Sequence, residues 1–144
     1  MHLHSNIVMN KIVKITRLDE MRIKDILHQN IGNHSEGHLL KLINKIESAK
    51  ILDILDVPKN LVTMNSRILI KDLLREEKRV IKLVYPDSAW KGKSLISILS
   101  PLGCILLGSV VGQIIVFEDN DGLLSKIYIT KILYQPEGSA HYSV

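Results

Sequence analysis

The sequence predicts an α+β fold, in which a short antiparallel helical hairpin precedes a twisted, largely antiparallel sheet with one short helix. Before Pro58, apolar residues recur at helical spacings, whereas after it short apolar segments alternate with turn residues. The short helix is predicted to begin at the serine–proline pair Ser100-Pro101. The 144 residues suit one domain with a small appendage. We therefore expect an N-terminal segment (1–57), a main domain (58–137) and a tail (138–144).

The hairpin is predicted from a cap, two apolar stripes and a polar turn. Thr16 is a good N-cap, and Asp19 three residues later suggests a capping box. The expected apolar face of the first helix is Leu18, Met21, Ile26 and Leu27. A second helix is expected from His38 to Lys50, with the stripe Leu39, Leu42, Ile43, Ile46 and Ala49. At about 13 residues, each helix spans only about 20 Å.

After a connector over Ile51–Asn60, turn residues separate the predicted strands. Asp121 and Gly122 form a strong hairpin signal between the last two strands. Asp87–Ser94 reads as a loop. The strands are expected at Leu61–Met64, Arg67–Leu73, Lys78–Tyr85, Leu95–Leu99, Gln113–Glu118 and Leu123–Tyr134.

The short helix has both of its ends marked in the sequence. Ser100 is a good N-cap, and proline is tolerated next, at Pro101, because its missing N–H would be unpaired in the first turn. Gly108 stands where a C-terminal cap belongs. The chain's single cysteine, Cys104, lies in this segment and reads as a small buried hydrophobe.

Composition excludes several classes of protein. One cysteine permits no internal disulfide, which fits a reducing compartment. No apolar run is long enough to span a bilayer, and the N-terminus lacks the pattern of a signal peptide, so we expect a cytoplasmic protein. The net charge of +4 allows, but does not establish, attraction to nucleic acid or to an acidic protein.

The turn between the helices contains the first candidate site, Asn33, His34, Ser35 and Glu36. A magnesium ion needs several hard oxygen ligands, and this turn offers only the Glu36 carboxylate. His28, His34 and His38 are near one another in sequence, but Gly37 interrupts the spacing that zinc sites use on a helix. We therefore expect no metal and no cofactor, and we interpret the turn as a solvated tip.

Four blocks of sequence resemble the GreA/GreB family of transcription elongation factors, and within it the Rnk branch. The blocks are Val62–Arg67, Leu83–Pro86, Ser97–Gly103 with its continuation through Gly108 and Gly112, and Tyr134–Glu137. They occur in the family's order with similar gaps across most of residues 61–137. The N-terminal half is similar mainly in layout.

The resemblance implies an FKBP-like main domain that docks on the rim of the secondary channel of core RNA polymerase. It assigns the contact to Ser100, Pro101 and Leu102, although Leu99 stands where Gre factors carry a polar residue. In Gre factors a long coiled coil carries acids that help hold magnesium at the polymerase active centre. Rnk has a much shorter hairpin, competes for the same docking surface and is not expected to stimulate RNA cleavage. The resemblance therefore implies a monomeric regulator that performs no chemistry of its own and meets nucleic acid only indirectly.

Two other functions stay open. An FKBP-like fold suggests a prolyl isomerase, but such enzymes use an aromatic-lined pocket, and the chain has one phenylalanine, one tryptophan and four tyrosines. Positive charge suggests a direct nucleic-acid binder. Against this, the basic residues from Lys71 to Lys93 are interleaved with the acids Asp72, Glu76, Glu77 and Asp87.

Overall fold

The computed structural model describes residues 12–29, 37–119 and 121–139. It confirms the α+β class, with a five-stranded sheet, two longer helices and two short ones. The predicted hairpin tip, Asn33–Glu36, lies outside the described residues. No helix in the described ranges is long and apolar enough to cross a membrane.

The N-terminal half contains a two-stranded parallel sheet that the sequence did not predict. Strand β1 (Lys14–Thr16) leads into helix α1 (Arg17–Gln29), and helix α2 (Gly37–Ser48) leads into strand β2 (Lys50–Leu52). The two strands pair in register from Lys14 with Lys50 to Thr16 with Leu52. The expected connector over Ile51–Asn60 therefore begins with part of β2 and continues through a 3₁₀ turn at Ile54–Asp56.

The predicted start of α1 is confirmed, but its predicted apolar face is partly wrong. The Thr16 hydroxyl accepts a hydrogen bond from the Asp19 N–H at 3.1 Å, which satisfies a donor of the first turn. Met21, assigned to the core, is 59% exposed, and Ile23 is fully buried instead. The buried positions Asp19, Ile23 and Leu27 are spaced by four, so the helix turns an acid toward the core.

Helix α2 follows the predicted stripe. Leu39, Leu42 and Ile46 are buried, and Ile43 and Ala49 are half-buried against the same core. The helix ends at Ser48 rather than Lys50 because residue 50 already pairs with β1.

The main sheet has the order β5–β4–β3–β7–β6. Its strands are β3 (Arg67–Asp72), β4 (Glu77–Val84), β5 (Leu95–Ser97), β6 (Ile114–Glu118) and β7 (Leu124–Tyr134). All neighbours are antiparallel except β4 and β5, which are parallel. The predicted hairpin at Asp121-Gly122 joins β6 to β7, with Gly122 at φ +78°.

Three sequence predictions around the sheet need correction. Leu61–Met64 is not a strand: its pairing with another segment is limited to the isolated bridge between Leu61 and Val110 and the backbone hydrogen bonds of Val62 to Gly108 and Ser109. The expected strand Leu95–Leu99 ends at Ser97, where a turn begins. The expected loop Asp87–Ser94 includes most of a one-turn helix, α3 (Pro86–Ala89).

Helix α4 (Pro101–Leu106) has the predicted ends. Ser100 is its N-cap, and Gly108 adopts φ +82° just beyond the C-cap Leu107. The Cys104 thiol is buried and donates to the Ile98 carbonyl at 3.2 Å, as expected for a packing residue.

One apolar core joins the helices to the sheet. Its buried members include Ile23 and Leu27 of α1, Leu42 of α2, and Ile68 and Ile129 of the sheet. Among the described residues, the hairpin helices therefore lie on the sheet domain rather than projecting from it.

Candidate functional site

The turn between β5 and α4 is held by hydrogen bonds within a few residues. The Ser100 hydroxyl donates to the Ser97 carbonyl at 2.7 Å and accepts from the Gly103 N–H at 3.0 Å. The Leu99 N–H donates to the Ser97 hydroxyl at 3.1 Å. These bonds fix the direction in which the chain enters α4.

Gly103 explains why a glycine follows the serine–proline pair. A Cβ atom at this position would overlap the Ser97 carbonyl oxygen and lie 2.9 Å from the Cα of Ile98. Helix α4 therefore leans directly on the backbone of the turn, and only glycine permits this approach.

Helix α2 holds α4 at both of its ends. The His38 Nε2 atom donates to the Leu99 carbonyl at 3.0 Å, just before the cap. At the other end, the Lys45 ammonium donates to the carbonyls of Cys104, Ile105 and Leu107 at 2.7, 3.2 and 2.9 Å. These carbonyls end a helix, where backbone acceptors lack internal partners and a cation is favoured.

Burial lowers the pKa of Lys45 to about 8. The side chain therefore keeps its proton at neutral pH and continues to donate to all three carbonyls. Sequence reasoning missed this lysine because the two helices it joins are far apart in the chain.

A groove of about 720 Å³ lies beside the turn, between α2, α4 and the β6–β7 hairpin. Its apolar lining comprises Pro101, Ile105, Val116, Phe117 and Leu124, and its charged lining comprises Lys41, Lys45, Glu118 and Asp119. Val116 and Leu124 are 55% and 59% exposed, so the groove presents apolar surface to solvent.

The three predicted contact residues occupy different environments. Pro101 is half-buried and lines the groove. The Ser100 hydroxyl is occupied in capping. Leu102 is only 8% exposed and belongs to the core, so it anchors α4 and does not offer its side chain to a partner.

A buried acid lies on the other side of the domain, where α1 meets the start of the sheet. The Asp19 carboxylate accepts from the Met64 N–H at 3.1 Å and from the Tyr85 hydroxyl at 3.3 Å. Desolvation, with a smaller contribution from the nearby Glu137 charge, raises the pKa of Asp19 to about 6. The same burial raises the pKa of Tyr85, whose ring lies 5.9 Å from the Arg22 guanidinium carbon. The spacing of Asp19, Ile23 and Leu27 was the signal in the sequence that could have identified this acid.

Two of the sequence blocks that carry the family resemblance meet close to this acid. The Thr63 hydroxyl donates to the Glu137 carboxylate at 2.7 Å and pairs with the Ser66 hydroxyl at 3.0 Å. Gln135 donates to the carbonyls of Pro58 and Leu61, each at 2.8 Å. Gln135 and Glu137 thereby fasten the segment that follows the last strand to the start of the main domain.

Within the described ranges, no group of three or more histidine, cysteine or acidic side chains could hold a metal ion. Of the three histidines considered from the sequence, His38 bonds to the Leu99 carbonyl, and His34 lies outside the described residues.

The class of protein is identified from the part of the chain that contains the main sheet and the serine–proline turn. Residues 57–134 match the family model described as "Transcription elongation factor, GreA/GreB, C-term", and the chain belongs to this family.

Individual relatives agree with this assignment. The chain is 33% identical over 98 residues to the regulator of nucleoside diphosphate kinase of Escherichia coli K12, across 68% of this chain and 72% of that protein. It is equally identical over 98 residues to the transcription elongation factor GreA of Clostridium botulinum (strain Alaska E43), covering 61% of that protein. A solved GreA/GreB structure from Nitrosomonas europaea matches 85% of the chain and 99% of its own length, with a TM-score of 0.74 and 29% identity.

Proposed function

We propose that this protein regulates transcription by docking on RNA polymerase, at the rim of the secondary channel. We assign the docking to the main domain, residues 58–137, and its central contact to the Ser100–Pro101 turn. The family to which the chain belongs supports a polymerase partner. The proposal for this contact is based on the position of Pro101, whose half-buried side chain lies on a turn fixed by hydrogen bonds and lines an apolar groove. Such a regulator acts in the bacterial cytoplasm.

The geometry of the turn suits docking because little conformational freedom remains to be lost. Ser97 and Ser100 already fix the turn, and His38 and Lys45 hold α4 against α2. A preorganised surface binds at a lower entropic cost than a mobile loop. The apolar groove can accept one hydrophobic side chain of the partner. The charged residues of its lining can orient the partner through polar contacts.

We further propose that the protein competes with Gre factors without stimulating RNA cleavage. Leu27 lies near the C-terminal end of α1, and Leu39 lies near the N-terminal end of α2, so both are close in sequence to the turn between the helices. They are 7% and 6% exposed and belong to the shared core. His38, in the first turn of α2, bonds directly to the main domain. Because both helices contact the main domain at the ends that adjoin the predicted tip, only a short part of the hairpin could extend into a channel. In addition, the single carboxylate of Glu36 would supply too few oxygen ligands to recruit a magnesium ion.

The docking proposal is tested by retention of the protein on immobilised core RNA polymerase. Pro101→Glu should reduce retention at least tenfold, because it places a charge on the contact, while the circular dichroism spectrum stays unchanged. Pro86→Glu is the matched control, since Pro86 also occupies the first position of a short helix and is likewise half-buried. Equal retention of both variants and the wild type would show that the turn is not the contact.

The cleavage proposal is tested on stalled polymerase complexes that carry backtracked RNA. The protein alone should leave the RNA at full length, and an excess should slow the cleavage that GreB stimulates. Pro101→Glu should lose this inhibition. RNA shortening by the wild-type protein that disappears in Glu36→Ala would mean that the hairpin is an active cleavage cofactor.

A further inference from the structure

The outer face of the main sheet, opposite the core, concentrates positive charge. Ile68 and Ile70 of β3 point into the core, so their neighbours Arg67, Leu69 and Lys71 point outward. The register places the outward residues of β4 and β7 beside them. This outer face carries six cations: Arg67, Lys71, Lys78, Lys82, Lys126 and Lys131.

The cations form two similar rows across three strands. In the first row Lys71 pairs with Lys78 on one side and with Tyr128 on the other. In the second row Arg67 pairs with Lys82 and with Tyr134 in the same way. The rows are four residues apart along β3, which corresponds to about 14 Å. Each row thus presents two cations and one tyrosine ring.

This arrangement destabilises the free protein. Lys71 and Lys78 are direct cross-strand neighbours, and so are Arg67 and Lys82, and like charges in such pairs repel. Within residues 12–29, 37–119 and 121–139, none of the six cations forms an ion pair or a side-chain hydrogen bond. The repulsion is relieved if an anion binds across the rows.

The acids that interleave with these cations in the sequence do not lie on this face. Asp72 alternates to the core side, where it is 3% exposed and bonds to Arg75. Glu77 pairs with Asp72 and shares that side, and Glu76 lies in the turn between the strands. Along the strands of the face, the one outward acid is Glu118, at the end of the edge strand. Alternation of the strands therefore produces the concentrated basic surface that the linear sequence lacks.

We propose that the outer face of the sheet binds single-stranded nucleic acid, with its phosphates at the cation pairs and bases against Tyr128 and Tyr134. A single strand supplies anions and flat rings at a regular repeat, which matches the repeated rows of cations and tyrosines. An acidic protein would satisfy the cations but gives no reason for a ring in each row. A second copy of this chain would oppose cations to cations. The two rows of cations and tyrosines share no residue with the lining of the groove at Pro101, so this inference does not depend on docking to polymerase.

The test is fluorescence anisotropy of the full chain with a labelled oligouridylate about 15 nucleotides long, titrated over a range of salt. The double variant Lys71→Gln/Lys78→Gln should bind more weakly and should lower the slope of log affinity against log salt by about 1.4, at about 0.7 per phosphate contact. Tyr128→Leu should weaken binding about tenfold and leave the slope unchanged, because it removes stacking and no charge.

The matched control is Lys50→Gln/Lys59→Gln, which replaces two exposed lysines outside the two rows. Its affinity should stay close to that of the wild type, with only the small decrease that a lower net charge causes.

A readout without ligand shows that the variants fold. The Lys71→Gln/Lys78→Gln variant should unfold at the same urea concentration as the wild type or higher, since it removes a like-charge pair. Absence of oligonucleotide binding at low salt overturns the proposal, as do equal losses in the two lysine double variants. Tighter binding to an oligoglutamate or to phosphatidylglycerol vesicles than to the oligonucleotide would assign the face to an acidic protein or to a membrane and would also overturn it.

Discussion

Replacing Asp19 by asparagine should stabilise the protein at neutral pH and leave its stability almost unchanged in mild acid. Asp19 is 4% exposed, and desolvation is the largest cause of the raised pKa of its carboxyl, from 3.8 to about 6. Asparagine resembles the protonated acid: its oxygen can accept from the Met64 N–H, and its NH₂ group can donate to the Tyr85 hydroxyl oxygen, which reverses the direction of that bond. The substitution therefore removes the cost of burying a charge and keeps the hydrogen bonds.

The magnitude follows from the shift in pKa. Because the folded pKa lies above the unfolded one, the stability that protonated Asp19 contributes is complete below pH 3.8 and is lost as pH rises through about 6. A difference of about 2 pH units corresponds to about 3 kcal/mol. This is a substantial part of the 5–15 kcal/mol that typically separates folded from unfolded domains.

The assay is urea unfolding followed by circular dichroism, for the wild type and Asp19→Asn, near pH 4 and above pH 7. We expect the free energies of unfolding to agree near pH 4, and the variant to be more stable by up to about 3 kcal/mol above pH 7. Asp25→Asn is the control, an exposed acid on the same helix. A difference between Asp19→Asn and the wild type that does not change with pH would refute the reasoning.

Two further predictions concern the packing of α4. Gly103→Ala should lower the free energy of unfolding by about 1–3 kcal/mol or prevent folding, because the new methyl group overlaps the Ser97 carbonyl. Gly92→Ala, where a Cβ has nothing within 4 Å, should unfold like the wild type, and equal losses in both would contradict the close approach. Lys45→Met should cost about 1–3 kcal/mol in urea unfolding, because the carbonyls of Cys104 and Leu107 lose the ammonium donor, whereas the Ile105 carbonyl still accepts from the Ser109 hydroxyl. Lys41→Met, which removes an exposed charge from the same helix, should cost little, and comparable losses would show that the loss of charge matters more than the three hydrogen bonds.

The candidate docking turn was predictable because its signals are local. Ser100, Pro101 and Gly108 each have a role set by the backbone within a few residues, and the structure confirms the cap and the helix that they imply. The assignment of Leu102 to the contact required knowledge of which side of α4 faces the core. Four apolar residues in a six-residue helix do not decide this, and packing buries Leu102.

The parallel pair β1–β2 was not predictable in the same way. Each strand has three residues, too few for an alternating pattern, and its partner lies on the far side of the helical hairpin. Met21 and Ile23 show the same limit, because both are apolar and only the position of the sheet decides which one is buried.

The sequence by itself determined the class of fold, the N-caps of α1 and α4, the Asp121-Gly122 hairpin and the family, because each depends on local backbone chemistry or on blocks of residues that remain in order. Only the tertiary structure decided the charge of the sheet's outer face and the burial of Asp19. Alternation along a strand is visible in the sequence, but register between strands is not. The pairing of Lys71 with Lys78 and with Tyr128 arises only when β3, β4 and β7 align.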